Sequence, residues 1–338
     1  MNRNTIRQHY VQTALTTSWE KNGLVDVALK VDNTSFIQEK SKPARSLFYE
    51  DFMYEQVHGF ESAKGHLKNN TILRTDNNHV FRMNDGEYYC KEIEDHGLPI
   101  IRRIVRQAKQ GNRRATLSAE ECIMLDKYLV LQTLRTPAAR ESFMFEKSPQ
   151  FIRTDADNGD AIAKYIENVT YQFMIGMHDE AGLSDNYETP VSFFKHLLGI
   201  IAGMSGYLLV ANNPKEEFVL GDNPCVLLGM DEGISALLMP LDPKVAVLLC
   251  ADDSPPHTDY LDIGACSKAW LDMAYYTQVN AAKEKIVFND ECITISDIEN
   301  FISARPENRL NLDIWTVRRM VEYLQEKNDG FDIDKYIK

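Results

Sequence analysis

Apolar and polar positions alternate along "LVDVALKV", residues 24 to 31. Side chains on a β-strand point to opposite faces in turn, so this alternation predicts a strand with one buried face. Short apolar runs joined by turn residues recur between 206 and 252, and they predict four or five further strands. The short connections between them favour antiparallel pairing.

A helical spacing begins after Ser118, where apolar residues recur every three or four positions as far as Leu134. The residues "SAEE" that open it form a capping-box pattern. In this pattern the Ser118 hydroxyl accepts from the backbone N–H three residues on, and Glu121 reaches back to the cap. Pro137 predicts a bend or an interruption at the far end, because proline has no backbone N–H and crowds the preceding turn.

The other helical patterns are spread over the chain. Predicted helices cover residues 91–110, with a break at Gly97 to Pro99, then about 159–180, a segment starting at Thr189 and Pro190, 266–288, 296–306 and 311–327. The sequence therefore predicts an α+β fold with a helical majority packed around one small, mostly antiparallel sheet. We expect a single large domain over 1–338, with a helical part at about 91–205, a β core at about 206–252 and C-terminal helices at about 266–338.

The net charge of −13 over 338 residues argues against broad electrostatic binding of nucleic acid, which needs clustered Lys and Arg. One local cluster, "IRRIVRQAKQGNRR" at 101–114, has two interpretations: the solvated face of a helix, or a patch that contacts phosphate. Six cysteines without C-x-x-C spacing predict reduced core residues in a cytoplasmic protein. The N-terminus lacks the apolar core of a signal peptide, and Lys195 and His196 interrupt the longest apolar stretch, so we expect no membrane insertion.

Candidate chemistry starts at "GDNP", residues 221–224, which lies between two apolar runs. Asp and Asn favour turns because their side chains bond nearby backbone, and Gly221 permits a left-handed conformation, so a tight turn explains the pattern. Alternatively, the flanking strands bury the turn and hold Asp222 and Asn223 in a site. A buried carboxylate then needs a partner.

Arg135 is the partner that the spacing suggests for Asp222. Gln132 and Arg135 lie three residues apart on one helix face and follow the apolar stripe, so both should point inward. Two interpretations stay open: a structural Arg135–Asp222 pair that ties helices to sheet, or a clamp for a substrate anion.

His9 is a third candidate, because histidine transfers protons near neutral pH. The histidines show no zinc spacing, and the motifs of P-loop, dinucleotide-binding and serine-hydrolase proteins are missing from the sequence.

The order of these residues resembles the bacterial family called domain of unknown function 4238. The resemblance runs from about residue 8 to 290 and rests on "H-Y-V" at 9–11, "Q-x-x-R-T-P" at 132–137 and "D-N-P" at 222–224. Where the family usually has proline shortly after the histidine, this chain has Gln12. The resemblance implies that separate polar residues converge in one site: His9, Glu94, Gln132, Arg135, Asp222 and Asn223.

Two functional hypotheses follow. In the first, the protein is a hydrolase or nuclease acting on a phosphate ester, in a setting such as phage defence. His9, Asp222 and Glu94 are catalytic in that hypothesis, and Arg135, Gln132 and Asn223 bind a small anionic substrate or nucleic acid. The cofactor is left open, with a divalent metal as one option. In the second, the protein is a non-catalytic ligand-binding or regulatory protein with a structural Arg135–Asp222 pair.

Overall fold

The computed structural model describes residues 7–51, 85–143, 175–176, 193–230, 233–303 and 312–320. Its helices are α1 (Thr13–Thr16), α2 (Asp85–Lys109), α3 (Ala119–Leu134), α4 (Pro137–Phe143), α5 (Phe193–Ala202), α6 (Lys268–Ala281) and α7 (Ile295–Ser303). Its strands are β1 (Arg7–His9), β2 (Val25–Lys30), β3 (Phe36–Lys42), β4 (Tyr49–Asp51), β5 (Arg114–Thr116), β6 (Ser205–Val210), β7 (Leu220–Gly221), β8 (Val226–Met230), β9 (Gly233–Asp242), β10 (Val245–Cys250), β11 (Tyr260–Ala265), β12 (Lys285–Phe288) and β13 (Asp313–Trp315).

The strands form two substantial sheets and a short ribbon. The larger sheet has seven strands in the order β13-β8-β9-β10-β6-β11-β5, and the smaller has four in the order β3-β2-β12-β7. Strands β1 and β4 pair separately. Of the pairings in the described residues, β6–β11 is parallel and the others are antiparallel. The expected helical majority around one small sheet is therefore wrong, because strands from both ends of the chain join sheets that local patterns do not reveal.

The central strands of the larger sheet are buried on both faces. Along "VAVLLC" in β10, Val247 and Leu249 pack into the same apolar cluster as α2, α3 and α5. Ala246 and Leu248, on the opposite face, belong to a second cluster that includes α6 and α7. This three-layer arrangement explains why the strand is continuously apolar, since neither face meets water.

Helix α2 runs without a break through Gly97 and Pro99, contrary to the predicted interruption. Gly97 serves packing here, because a Cβ at this position would lie 2.7 Å from the ring of Tyr128 in α3. The absence of a side chain lets α2 and α3 approach closely, and this contact brings their polar residues together.

Both termini of α3 follow the sequence prediction. Ser118 accepts from the N–H of Glu121 at 3.2 Å, and the Glu121 carboxylate accepts from the N–H of Ser118 at 2.8 Å. The helix ends at Leu134, and Pro137 is the first residue of α4. The Thr136 hydroxyl accepts from the N–H of Ala139 at 3.2 Å and so caps α4.

The C-terminal region contains strands where helices were expected. Residues 285–288 form β12 and not the end of a helix. In the helix predicted at 311–327, residues 313–315 form β13 and residues 317–320 are helical. The predicted helix at 296–306 corresponds to α7. The helices expected at about 159–180, apart from 175–176, and the start at Thr189 lie outside the described residues, as do residues 321–327. Within the described ranges, no helix has the length and apolarity needed to cross a membrane.

Candidate functional site

Arg135 is the point where three parts of the chain meet. It follows the last turn of α3, and its side chain is only 1% exposed. Its Nε donates to the carbonyl of Tyr10 at 2.7 Å, and its Nη2 donates to the carbonyl of His9 at 2.8 Å. Its Nη1 lies 2.5 Å from Oε1 of Glu94 in α2. The guanidinium therefore ties the N-terminal segment and α2 to the end of α3.

Asp222 lies elsewhere, and the expected Arg135–Asp222 pair is wrong. The buried Asp222 carboxylate accepts from three consecutive backbone N–H groups in the turn between α6 and β12: Lys283 at 2.7 Å, Glu284 at 2.6 Å and Lys285 at 2.9 Å. Burial raises the pKa of Asp222, and the three N–H groups oppose that rise. Because backbone donors satisfy this carboxylate, it has no need of a cationic side chain.

Gln278 of α6 holds the same turn from the other side. Its Oε1 accepts from the N–H of Gly221 at 2.8 Å, and its Nε2 donates to the carbonyl of Pro224 at 2.9 Å. Gly221 does not adopt the left-handed conformation that we expected. Glycine fits there because a Cβ would lie 3.0 Å from the carbonyl oxygen of Gln278. The "GDNP" segment is thus a tight turn fixed by its neighbours.

His9 contributes its carbonyl to Arg135, while its ring points elsewhere. The His9 Nε2 lies 3.3 Å from the carbonyl oxygen of Arg45, and the ring lies against Tyr49 with centroids 5.7 Å apart. Asn223 does approach the end of α3, where its Oδ1 accepts from the Thr136 hydroxyl at 3.4 Å. The structure therefore brings Glu94, Arg135 and the backbone of His9 together, with Asn223 next to Thr136 at the edge.

Two glutamates on one face of α2 face this region. Glu87 and Glu94 are seven residues apart, which is two helical turns. Burial raises the pKa of Glu87, and the repulsion of Glu94 adds to this rise while Arg135 opposes it. Burial also raises the pKa of Glu94 more strongly than Arg135 lowers it. The prediction missed Glu87 because the predicted helix began only at residue 91, although the spacing of Glu87 from Glu94 was the available signal.

Gln132 is completely buried on the same face of α3 as Arg135. Neither its Oε1 nor its Nε2 has a hydrogen-bond partner among the described residues. One turn earlier, the Tyr128 hydroxyl donates to Oε1 of Gln12 at 3.1 Å, so the N-terminal segment is bonded to α3 at this point. We call Glu87, Glu94, Gln132 and Arg135 the Arg135 layer.

The charges of the Arg135 layer limit what it can bind. It contains two glutamates and one guanidinium whose three nitrogens are each engaged. A phosphate group would meet more negative than positive charge there, so the geometry does not favour the proposed anion clamp. Within the described ranges, no group of three or more His, Cys, Asp or Glu side chains is placed to hold a metal ion.

Two arginines of the basic cluster at 101–114 are paired with carboxylates. Arg103 Nη2 lies 2.6 Å from Glu121, and Arg114 Nε lies 2.9 Å from Asp262. The Arg114 guanidinium also stacks over the ring of Tyr260 at 3.9 Å. These contacts favour the interpretation of this cluster as a solvated helix face.

A buried His257–Asp126 pair was not anticipated from the sequence. His257 Nε2 lies 2.8 Å from Oδ1 of Asp126, and His257 Nδ1 lies 2.6 Å from the carbonyl oxygen of Met204. Both ring nitrogens face acceptors, so the geometry fits the doubly protonated ring. Burial lowers the pKa of His257, but Asp126 and the Met204 carbonyl outweigh burial and hold that pKa above its ordinary value.

This pair predicts a pH dependence of stability. A group with a raised folded-state pKa stabilises the fold below its unfolded pKa, about 6.5 for histidine, and the contribution disappears as the pH rises through the folded value. We therefore expect the free energy of unfolding to fall as the pH rises from about 6.5 through the folded-state pKa of His257. Urea titrations at a series of pH values measure this fall. Asp126→Asn should remove this fall. An unchanged profile in Asp126→Asn would contradict the assignment of the charged ring.

Comparison with known proteins gives one match. The model of the family described as protein of unknown function, DUF4238, matches residues 7–292 of the 338-residue chain. No curated protein and no solved structure matches the chain.

Proposed function

The chain belongs to the DUF4238 family, whose description assigns no reaction, and we infer that it binds a small neutral or cationic polar ligand in the Arg135 layer. In this proposal, the amide of Gln132 is the recognition group. Glu87, which is half-buried at the layer, supplies negative charge beside it.

The observation that carries the proposal is the unpaired Gln132 amide. A buried amide without partners costs about 1–3 kcal/mol, so proteins rarely keep one that does nothing. An incoming molecule that offers both a donor and an acceptor would remove this cost. The polar groups of Arg135 and Asp222, by contrast, are engaged in structural bonds, which does not support the substrate-binding role first expected for Arg135 or the catalytic role first expected for Asp222.

Replacement of Gln132 by methionine tests the proposal through stability. Gln132→Met has a similar volume and removes two unsatisfied polar atoms, so we expect it to raise the free energy of unfolding by about 1–2 kcal/mol. Gln278 is the matched control: it is equally buried, but both of its polar atoms are bonded. Gln278→Met should lower stability by about 1–3 kcal/mol. A loss of stability in both variants would remove the basis of the proposal.

Binding itself can be measured with simple probes. We expect acetamide and methylguanidinium to shift NMR signals of α2 and α3 in the wild-type chain, and inorganic phosphate to leave them unshifted. The same probes should have no effect on Gln132→Met. Saturable binding of phosphate at the Arg135 layer would contradict the charge argument.

A hydrolase or nuclease acting on a phosphate ester is the second candidate function. The favouring observation is the pair of carboxyls in α2 with raised pKa values, since a carboxyl that keeps its proton can serve as a general acid. With Glu87 protonated, Glu94 balances the charge of Arg135 and no cation is left over for the substrate, so such a reaction would need a divalent metal to hold the phosphate. The test is cleavage of p-nitrophenyl phosphate and single-stranded nucleic acid with added Mg²⁺ or Mn²⁺. Glu87→Gln should abolish activity, while Glu92→Gln, on another face of α2, should not.

A further inference from the structure

An exposed segment joins β10 to β11, and one buried residue holds its middle in place. We call this segment, residues 251–259, the strap. His257 is 5% exposed, while every other residue of the strap is exposed. The strap lies directly on β6 at Gly206, where a Cβ would come within 2.8 Å of the Cβ of His257. His257 therefore fastens the middle of the strap to the larger sheet.

Three hydrogen bonds fasten His257, and two of them need a ring proton. Its Nε2 lies 2.8 Å from Oδ1 of Asp126, and its Nδ1 lies 2.6 Å from the carbonyl oxygen of Met204. The backbone N–H of His257 donates to the same carbonyl at 3.1 Å. A neutral imidazole has one N–H and one lone pair, so it can donate to Asp126 or to Met204 but not to both. Loss of one proton therefore leaves two acceptors facing each other in a buried place, which is costly.

The two ends of the strap are held by other bonds. Near its start, the Asp252 carboxylate accepts from the hydroxyls of Ser205 at 2.5 Å and Tyr207 at 2.7 Å. Near its end, the carbonyl of Asp259 accepts from the N–H of Leu117 at 2.8 Å. Burial acts to raise the pKa of Asp252, but the bonds from Ser205 and Tyr207 outweigh burial and hold that pKa below its ordinary value. The ends therefore stay bonded when the imidazole titrates, and the middle is the part that can be released.

The imidazole is the group at the strap that changes charge above about pH 6.5. The other titratable side chains around it are Cys122 and Glu121 on α3, Asp252, Asp253 and Asp259 on the strap, and Tyr207 on β6. Among the described residues, Asp126 is the charged side chain that acts on the pKa of His257. Burial raises the pKa of the Cys122 thiol to about 11, so this thiol stays neutral while the imidazole titrates.

We propose that the strap is a pH-controlled latch, which is closed while the His257 ring carries two protons and loosens at its middle when the ring loses one. In the loosened state the larger sheet stays folded, and water reaches the Asp126 carboxylate and the Met204 carbonyl. The latch thus adds a local opening to the loss of overall stability expected from the same pair. The inference is independent of the Arg135 layer and goes beyond the ligand binding proposed there.

Hydrogen exchange of the full chain, followed by NMR between about pH 6 and about pH 9, tests the latch. After correction for the intrinsic exchange rate, the protection of the His257 N–H should fall about tenfold per pH unit from about pH 6.5 to the folded-state pKa of His257, and then level off. The ring nitrogen signals in the same samples give that pKa. A protection that does not change with pH over this range overturns the proposal.

Low concentrations of urea separate opening of the strap from unfolding of the whole chain. Urea promotes unfolding because unfolding exposes much surface, whereas opening of the strap exposes little. The protection of the His257 N–H should therefore hardly respond to about 1 M urea, while that of Val247 and Leu249 in β10 should fall. If the His257 N–H responds to urea as β10 does, the strap does not open by itself and the latch is wrong.

Asp126→Asn is the test variant, and Ser205→Ala is its matched control on the same strap. Asp126→Asn removes the charge that favours the second ring proton, so protection at His257 should be as low as in the wild type at alkaline pH and independent of pH. Ser205→Ala removes a bond that does not titrate, so the pH dependence at His257 should remain. Retention of the wild-type pH dependence in Asp126→Asn, or its loss in Ser205→Ala, refutes the assignment.

Discussion

Arg135→Met is expected to lower the free energy of unfolding by about 3–5 kcal/mol, the usual cost of removing one partner from a buried ion pair. The substitution leaves the Glu94 carboxylate without its cation. It also leaves the carbonyls of His9 and Tyr10 without the donors that they have in the wild type. Equilibrium unfolding in urea measures the effect.

Arg103 provides the control for this prediction. It is also paired with a glutamate, Glu121. Both side chains are more than a third exposed, Arg103 at 38% and Glu121 at 34%. Exposed pairs contribute about 0–1 kcal/mol, so Arg103→Met should change stability little. If the two variants lose the same small amount, Arg135 does not hold the fold together and is available for another role.

The pH dependence of the Arg135→Met variant separates a stranded charge from a simple loss of packing. Without the guanidinium, the main opposition to the rise that burial imposes on the pKa of Glu94 is lost. A lower pH should then protonate Glu94, so the destabilisation should shrink as the pH falls. Glu94→Gln in the Arg135→Met background should remove this dependence. Arg135→Lys should lie between wild type and Arg135→Met, because an ammonium cannot reproduce the planar fork that reaches three partners.

Three local features of the sequence proved to be reliable guides. The capping box at Ser118 and Glu121, the interruption before Pro137 and the strand at 25–30 all depend on residues close together in the chain, and the structure has all three. The apolar stripe of α3 also placed Arg135 and Gln132 inside the protein correctly. These predictions succeed because a helix face or a cap is determined within a few residues.

The partners of those inward-facing residues could not be predicted in the same way. Glu94 and Asp222 were both plausible carboxylates for Arg135, and the choice depends on how α2 packs against α3. That packing depends on the absence of a side chain at Gly97. From the sequence, Gly97 was expected to mark a break in the helix. The partner of Asp222 is a row of backbone N–H groups, and such donors leave no trace in side-chain patterns.

The strand pairing in the sheets could not be predicted from local sequence patterns either. The run "KIVF" at 285–288 follows directly on a helical pattern and contains too few residues to show a period of its own. It becomes a strand because β2 and β7, from distant parts of the chain, pair with it on either side. Pairing between distant segments decides such short strands, which explains why one small sheet was expected where sheets of seven and four strands exist.

Asp222→Asn should be the second strongly destabilising substitution, with a loss of about 3 kcal/mol or more. The carboxylate accepts three backbone N–H bonds, and bonds to a charged acceptor contribute about 1.5–3 kcal/mol each. An asparagine oxygen can replace only one of the two carboxylate oxygens. Its amide group would then point hydrogen atoms at an N–H donor, which leaves at least one buried donor unpaired.

The site of the damage can be observed directly. The three N–H groups belong to the turn that leads from α6 into β12, the strand that joins β2 to β7. Hydrogen exchange at Lys283, Glu284 and Lys285 should therefore accelerate in Asp222→Asn more than exchange in β9 and β10 of the larger sheet.

Asp32→Asn is the matched control for Asp222→Asn. Asp32 accepts from the N–H and the hydroxyl of Thr34 in an exposed turn, so its replacement should leave stability nearly unchanged. If Asp222 is instead catalytic, Asp222→Asn should leave the stability and the hydrogen exchange of the chain unchanged and abolish its activity. That outcome would restore Asp222 to the reaction and contradict its role as the anchor of the α6–β12 turn.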